Sequence, residues 1–157
     1  MKKLMMSLLG LFMVAMSQAA LAAPAKVVYH VDFNDVTRYS ATLTSINNLT
    51  QAYESELREY EVAIVFVGHG IRFVTDDDLK GSPYAADKAL LERRAELKGR
   101  LDALVKFKGV EALLCDKTRE EIKLDKAKVY AGVGFVASGV AAIADMQMGG
   151  HAYLKVQ

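Results

Sequence analysis

The residues of this chain with the clearest potential for chemistry surround its only cysteine, Cys115. The apolar run 110–114 before the cysteine predicts a short buried strand, and the polar stretch 116–121 after it predicts the start of a helix. A thiol at such a junction lies near the positive end of a helix dipole, which favours the thiolate. Cys115 is therefore the first candidate for chemistry in this chain.

The side chains that follow the cysteine bear on its charge. The backbone N–H groups of residues 116–119 could stabilise a sulfur anion, and the cationic side chains of Lys117 and Arg119 would help. The carboxylate of Asp116 would oppose them if it pointed at the sulfur. We expect Lys117 to act as an anion stabiliser at this site.

His69 is the histidine best placed to exchange a proton with this thiol. It follows the near-continuous apolar run 61–67, which is typical of a strand buried on both faces of a parallel sheet. In an open α/β sheet the binding crevice lies outside the carboxyl ends of the strands, so we expect three segments to converge there: 33–35, 68–70 and 115–117. The alternative is a loop histidine that hydrogen-bonds the backbone.

The elements that would position these residues alternate along the chain. Strands are predicted at 26–33, 61–67, 110–114, 133–137 and 151–156. Helices are predicted at 36–58, from Ser82-Pro83 to Lys108, from the cysteine region to about 124, and at 140–148. A polar, solvated acidic loop is predicted over 71–81. This alternation predicts an α/β fold with a mainly parallel sheet and helices on both faces.

The N-terminal segment has the three-part pattern of a secretory signal peptide. Positive Lys2 and Lys3 precede an apolar run over 4–16, and small residues over 17–23 provide a cleavage site after Ala22. We therefore expect a signal peptide at 1–22, a single domain at 23–157, and a periplasmic or otherwise secreted protein. The apolar run is too short to span a bilayer comfortably, so no stable membrane span is expected after its removal; retention as an anchor is the alternative.

The charge balance of the mature chain excludes some partners. Loss of the two leader lysines lowers the formal net charge of +1 by two, to −1. No basic patch points to nucleic acid or anionic lipid as a partner. A single cysteine cannot form an intramolecular disulfide, so it is a buried small hydrophobe, an intermolecular crosslink or a reactive thiol.

Other motifs are weaker. Gly68-His69-Gly70 lacks the remainder of a phosphate loop, and its glycines are explained by a sharp turn. Met146, Met148 and His151 are soft ligands that suit Cu(I), but methionines at the end of an apolar helix usually fill gaps in a core. The run 76–78 of three aspartates lacks the spacing of a calcium loop. We therefore expect neither a metal site nor a cofactor.

Five segments carry a resemblance to a known family: Val-Val-Tyr-His-Val-Asp-Phe at 27–33, Ile-Asn-Asn-Leu at 46–49, and the segments 62–73, 110–115 and 136–155. The last of these segments is the most distinctive. Through them nearly the whole mature chain resembles the DsrE-like proteins, the DsrE/DsrF/TusD group that handles sulfur, in its exported single-domain branch.

The resemblance implies a three-layer α/β/α sandwich with a five-stranded, mainly parallel sheet, and assembly into a trimer or hexamer. It also implies that Cys115, at the position of the family's sulfur-loading cysteine, accepts sulfur as a persulfide from a donor protein and passes it to an acceptor protein. Two departures stand against this transfer: Asp116 replaces the small residue that often follows the cysteine, and the chain is predicted to be exported. The alternative is a non-enzymatic oligomeric protein that binds a small ligand and in which Cys115 is structural.

Overall fold

Five parallel strands form the centre of the protein, for which a computed structural model describes residues 23–157. The strands are β1 (Ala25–Val31), β2 (Tyr60–Phe66), β3 (Glu111–Cys115), β4 (Val133–Val136) and β5 (Ala152–Leu154). Their order across the sheet is β4-β3-β2-β1-β5, and every strand pairing is parallel. The predicted five-stranded, mainly parallel sheet is therefore confirmed.

Helices cover both faces of this sheet, which confirms the three-layer sandwich. They are α1 (Val36–Ser55), α2 (Lys88–Lys108), α3 (Asp116–Glu121) and α4 (Gly139–Met148), with 3₁₀ turns at Gly68–Phe73 and Lys126–Lys128. Buried side chains of α1 and α2 share one apolar cluster with alternate residues of β1 and β2. Ile143 of α4 packs on the opposite face of the sheet, against the intervening residues of these two strands.

Strand β2 shows why its sequence is an unbroken apolar run. All residues from Val62 to Phe66 are buried. Ile64 and Phe66 join the cluster with α1 and α2, whereas Ala63 and Val65 join the cluster with α4. Because successive side chains of a strand point to opposite faces, a strand between two helical layers must be apolar throughout.

The predicted start of α2 at Ser82-Pro83 is wrong, and the helix begins at Lys88. The Ser82 hydroxyl serves a local turn instead, donating to the carbonyl of Leu79 at 2.8 Å and accepting from the N–H of Tyr84 at 3.1 Å. The cap is Asp87, whose carboxylate accepts from the N–H of Leu90 at 2.9 Å. A serine before a proline was thus a turn signal here.

Two other predicted boundaries are also corrected. The first helix ends at Ser55 rather than near residue 58, because Leu57 takes a positive φ of 53° that a helix does not accommodate. Helix α3 ends at Glu121 rather than near residue 124. Strand ends differ from the predictions by only a few residues, as is usual for element boundaries.

The prediction of a solvated acidic loop over 71–81 is wrong for residues 71–75, whereas Asp76, Lys80 and Gly81 are exposed. Ile71 to Thr75 are buried, and Leu79 is buried as well. The three aspartates form ion pairs that fasten the segment to the protein: Asp76 with Lys98, Asp77 with Lys128, and Asp78 with Arg94. The aspartates therefore hold a covered segment in place.

The predicted signal peptide, residues 1–22, lies outside the described residues. Among residues 23–157, no helix has both the length and the apolar character needed to cross a membrane.

Candidate functional site

Cys115 is the last residue of β3 and the N-cap of α3, so the thiol lies at the strand-to-helix junction predicted for it. The residue is 5% exposed. Cys115, rather than Asp116 or Thr118, takes the N-cap position of this helix. In the sheet Cys115 stands opposite Val136, at the carboxyl ends of β3 and β4.

The connections that leave these two strands diverge to opposite faces of the sheet. After β3 the chain contributes Ile122 and Leu124 to the cluster with α1 and α2. After β4 it forms α4, whose Ile143 packs on the other face. A parallel sheet opens a crevice where neighbouring connections diverge in this way. Cys115 lies at that position.

Hydrogen bonding lowers the pKa of the Cys115 thiol. Burial raises the pKa of Cys115, but hydrogen bonding from the backbone of Gly139, from the backbone and hydroxyl of Thr118 and from the backbone of Lys117 outweighs it, so the net pKa lies below the usual value. These donors stabilise the thiolate, which is the nucleophilic form of cysteine. Because α3 has only six residues, individual donors rather than a long helix dipole account for the lowered pKa of Cys115.

Thr118 links the thiol to the segment 68–70. Its hydroxyl oxygen accepts a hydrogen bond from the backbone N–H of Gly68 at 3.0 Å, and the same hydroxyl interacts with Cys115. Gly70 lets this turn pack closely, since a Cβ atom there would collide with the carbonyl oxygen of Val31. The predicted approach of this segment to the cysteine is thus present.

Gly139, the first residue of α4, brings a second helix onto the thiol. A Cβ atom at this position would lie 3.0 Å from the Cβ of Cys115 and 2.5 Å from the Cγ2 of Val67. Real Cβ atoms essentially never approach other atoms as closely as the second distance. Only glycine therefore allows the Gly139 N–H to reach the sulfur without displacing the helix.

The charged neighbours of the cysteine have separate roles. The carboxylate of Asp116 pairs with Arg119 and with Lys126, at 3.2 Å from the latter, and its hydrogen bond with Arg119 is the main cause of its lowered pKa. These two cations thus balance the negative charge of Asp116. The side chain of Lys117 is exposed, and the part of this residue that lowers the Cys115 pKa is its backbone N–H.

His69 lies in the 3₁₀ turn directly after Gly68. Its ring packs edge-on against Tyr84, with ring centroids 5.3 Å apart and an interplanar angle of 82°. Its Nδ1 is buried, and no described group hydrogen-bonds it. The Tyr84 hydroxyl in turn donates to Glu121 of α3 at 3.0 Å. His69 therefore belongs to the surroundings of α3, with one ring nitrogen uncommitted.

The segment 33–35 does not join the site, although the crevice rule predicted that it would. Phe33 packs against Phe73, and Asp35 caps α1 by accepting from the N–H of Arg38 at 2.7 Å. Strand β1 is separated from β3 by β2, which places this segment to one side. The residues around Cys115 come instead from the connections that follow β2, β3 and β4.

In the methionine and histidine cluster at the end of α4, the histidine is hydrogen-bonded to the backbone of its own segment. His151 Nδ1 lies 2.9 Å from the carbonyl oxygen of Met146, and its backbone N–H donates to the same oxygen. Within residues 23–157, no group of three or more histidine, cysteine, aspartate or glutamate side chains is arranged to hold a metal ion.

Sequence patterns do not identify three parts of the site: the Thr118 hydroxyl, Gly139 and Tyr84. The spacing of Thr118 from Glu121 imitates a capping box, which indicates a structural role for the threonine. Gly139 follows a serine that caps α4, so the local pattern indicates a turn. No local signal in the sequence points to Tyr84, because its place beside His69 depends on tertiary packing.

Comparisons with known proteins agree with this architecture. Among solved structures, the chain is similar to a protein of unknown function from Methanobacterium thermoautotrophicum, with 24% identity, a TM-score of 0.63, and coverage of 83% of this chain and 98% of that one. At this identity the likeness bears on the fold alone. A comparison with curated proteins found no match. Residues 17–156 match the DsrE/DsrF-like family, and the chain belongs to this family.

Proposed function

We propose that this protein carries sulfur as a persulfide on Cys115. The observation that carries the proposal is the place of Cys115: it is the N-cap of α3, Gly139 of α4 packs against its Cβ, and hydrogen bonding there lowers the pKa of the thiol in spite of burial. Membership of a family associated with sulfur transfer supports the same chemistry.

The transfer needs no cofactor. The Cys115 thiolate attacks the outer sulfur of a donor persulfide, R–S–SH, and the S–S bond of the donor breaks. The donor leaves as the thiolate R–S⁻, and Cys115 becomes the persulfide. One disulfide-type bond forms while one breaks, so the step involves no net oxidation. An acceptor thiolate then takes the outer sulfur from Cys115 by the same exchange.

The chain's own residues have distinct parts in this exchange. The N–H groups of Gly139, Lys117 and Thr118 stabilise the sulfur anion before attack and again after the sulfur has been passed on. His69, with its Nδ1 buried and uncommitted, is the proposed proton donor or acceptor. The ammonium group of Lys117 is exposed and would stabilise the thiolate R–S⁻ that leaves the donor.

A non-enzymatic role is the second candidate. Here the crevice binds a small ligand, and Cys115 is a structural residue. Its 5% exposure favours this reading, because buried cysteines usually serve as small hydrophobes. Replacement of Cys115 by serine would then leave ligand binding largely intact.

Thiol labelling discriminates between the two functions. Alkylation of the native protein is followed as a function of pH, with and without denaturant. A carrier is expected to be alkylated rapidly in the native state at mildly acidic pH, because its thiolate is already populated there. Slow labelling that only denaturant releases would support the structural role of Cys115 and contradict the carrier function.

Export and assembly complete the proposal. We propose that residues 1–22 are removed on secretion, that the mature protein is periplasmic or otherwise secreted, and that it forms a trimer or hexamer. A sulfur donor or acceptor protein is the proposed partner. The N-terminal sequence of the protein recovered from the producing cell tests cleavage, and its native mass tests the oligomeric state.

A further inference from the structure

Tyr84 joins two parts of the Cys115 surroundings that are distant in sequence. Its ring packs edge-on against His69, with centroids 5.3 Å apart. Its hydroxyl donates to the carboxylate of Glu121 at 3.0 Å. The tyrosine thus connects the turn that follows β2 to the helix that follows the cysteine.

The hydrogen bond with Glu121 places the Tyr84 hydroxyl on the same side of α3 as the Thr118 hydroxyl, which interacts with Cys115. Residues three apart on a helix are neighbours on its surface, so Thr118 and Glu121 share a face. The backbone N–H of Gly68, which precedes His69, bonds Thr118 at 3.0 Å. Both connections, one through α3 and one through the 3₁₀ turn, therefore lead from Tyr84 to Thr118, the residue whose hydroxyl interacts with the thiol.

The charge of Cys115 contributes to the pKa of Tyr84. Burial is the largest cause of the raised pKa of Tyr84, followed by its hydrogen bond with Glu121, the charge of Glu121 and the charge of Cys115. The phenol is therefore protonated at neutral pH and can act as a hydrogen-bond donor to an anion.

A persulfide extends one atom beyond the Cys115 sulfur, and this outer atom carries a negative charge once it has lost its proton to solvent water. Hydrogen bonding from the backbone of Gly139, Lys117 and Thr118 already stabilises the inner sulfur as an anion. The outer sulfur needs a donor of its own, because a partly buried anion without a hydrogen bond is costly.

We propose that Tyr84 is a further residue of the sulfur site, and that its hydroxyl exchanges the Glu121 carboxylate for the outer sulfur of the Cys115 persulfide. The exchange moves a hydrogen bond only, and neither a proton nor an electron is transferred. Glu121 holds the hydroxyl in place in the unloaded state. This inference rests on the persulfide function proposed above and identifies the group that recognises the transferred atom.

The test compares the loaded and unloaded forms of the full mature chain. Protein is loaded with inorganic polysulfide, and the rate of alkylation is measured against pH for the persulfide and for the unloaded thiol. In Tyr84→Phe, which keeps the ring beside His69, the midpoint of the persulfide profile is expected to rise by about one pH unit, the effect of one hydrogen bond to a charged group. The midpoint of the unloaded thiol should move much less.

Two further variants support the comparison. Tyr60→Phe is the matched control, because the Tyr60 hydroxyl also donates to a carboxylate, that of Glu54, at 2.8 Å. This tyrosine lies near the amino ends of the strands, away from Cys115. The alkylation profiles of Tyr60→Phe should therefore equal those of the wild type. Glu121→Gln lowers the persulfide midpoint by releasing the hydroxyl, and this effect should shrink when Tyr84→Phe is also present.

The outcomes separate this inference from the proposed function. If the wild type never acquires sulfur, the carrier function and this inference both fail. If the wild type is loaded but Tyr84→Phe leaves the persulfide profile unchanged, or shifts the loaded and unloaded profiles equally, the inference about Tyr84 alone is overturned.

Discussion

Gly139 and Cys115 lie so close together that a Cβ atom at position 139 would be 3.0 Å from the Cβ of the cysteine. Helix α4 can therefore direct its first N–H at the sulfur only while residue 139 has no side chain. The sulfur site depends on the close packing of two elements, β3 and α4, that the chain forms separately.

Replacement of this glycine should affect both stability and the thiol. Gly139→Ala is expected to destabilise the protein by about 1–3 kcal/mol, because overpacking displaces the helix, and to raise the pKa of Cys115 as the N–H moves away. Urea unfolding and the pH dependence of alkylation measure the two effects. Gly99→Ala is the control, since a Cβ there meets nothing within 4 Å and should stabilise the helix by roughly 0.5–1 kcal/mol. Equal behaviour of the two variants would contradict the packing argument.

Thr118 offers a test of the hydroxyl alone. Thr118→Val keeps the shape of the side chain but leaves the N–H of Gly68 without its 3.0 Å partner, so we expect a loss of about 1–3 kcal/mol. The Cys115 pKa should rise by about one unit, because one donor to the thiolate is lost. Thr118→Ser retains the hydroxyl and should retain the low pKa. An alkylation profile in Thr118→Val that matched the wild type would rule out this role.

More of the fold than of the site could be predicted from the sequence. Alternation of strands and helices, and the apolar run of β2, follow from local patterns that tertiary structure preserves. The start of α2 could not be predicted with equal success, because Ser82 and Asp87 both carry capping side chains and only packing selects Asp87, which also pairs with the buried Arg72 at 2.8 Å.

The site shows the same division between local and tertiary information. The position of Cys115 at a strand end follows from the residues on either side of it. The approach of Gly139 does not, because it depends on how α4 returns across the sheet. Asp116 would oppose the thiolate if its carboxylate pointed at the sulfur, but the carboxylate pairs with Arg119 and Lys126 instead.

His30 makes the stability of the protein depend on pH. Burial is the main cause of its lowered pKa, with Asp32 acting against the shift and Lys155 adding to it; Tyr153 Oη lies 3.0 Å from its Nδ1. The folded state thus favours the neutral ring. The stability that this provides is complete above the unfolded pKa of about 6.5 and is lost as the pH falls towards the folded pKa.

A histidine-to-glutamine variant isolates this effect. The stability of the wild type relative to His30→Gln should decrease as the pH is lowered from 7.5 to 5, a range above the titration of most carboxylates. Urea unfolding at several pH values measures the difference. A constant difference over this range would show that the ionisation of His30 does not affect folding.

The ion pairs of the segment 76–78 should contribute measurably to stability. Arg94→Met removes the bonds to the Asp76 carbonyl and the Asp78 carboxylate, both at 2.9 Å, and is expected to cost roughly 1–3 kcal/mol, because the arginine side chain is only 15% exposed. Lys88→Met is the matched control, since its pair with Glu92 is exposed and should contribute less than about 0.5 kcal/mol. Equal stabilities for these variants would contradict a fastening role for Arg94.

The most direct test of the central claim is the mass of the native protein after incubation with a sulfane sulfur donor. The wild type is expected to gain one sulfur atom on Cys115, removable by a reductant, while Cys115→Ser, which has no cysteine left, gains none. Fragmentation of the loaded chain locates the added atom. A folded wild-type protein that never acquires a reductant-removable sulfur at Cys115 would contradict the account.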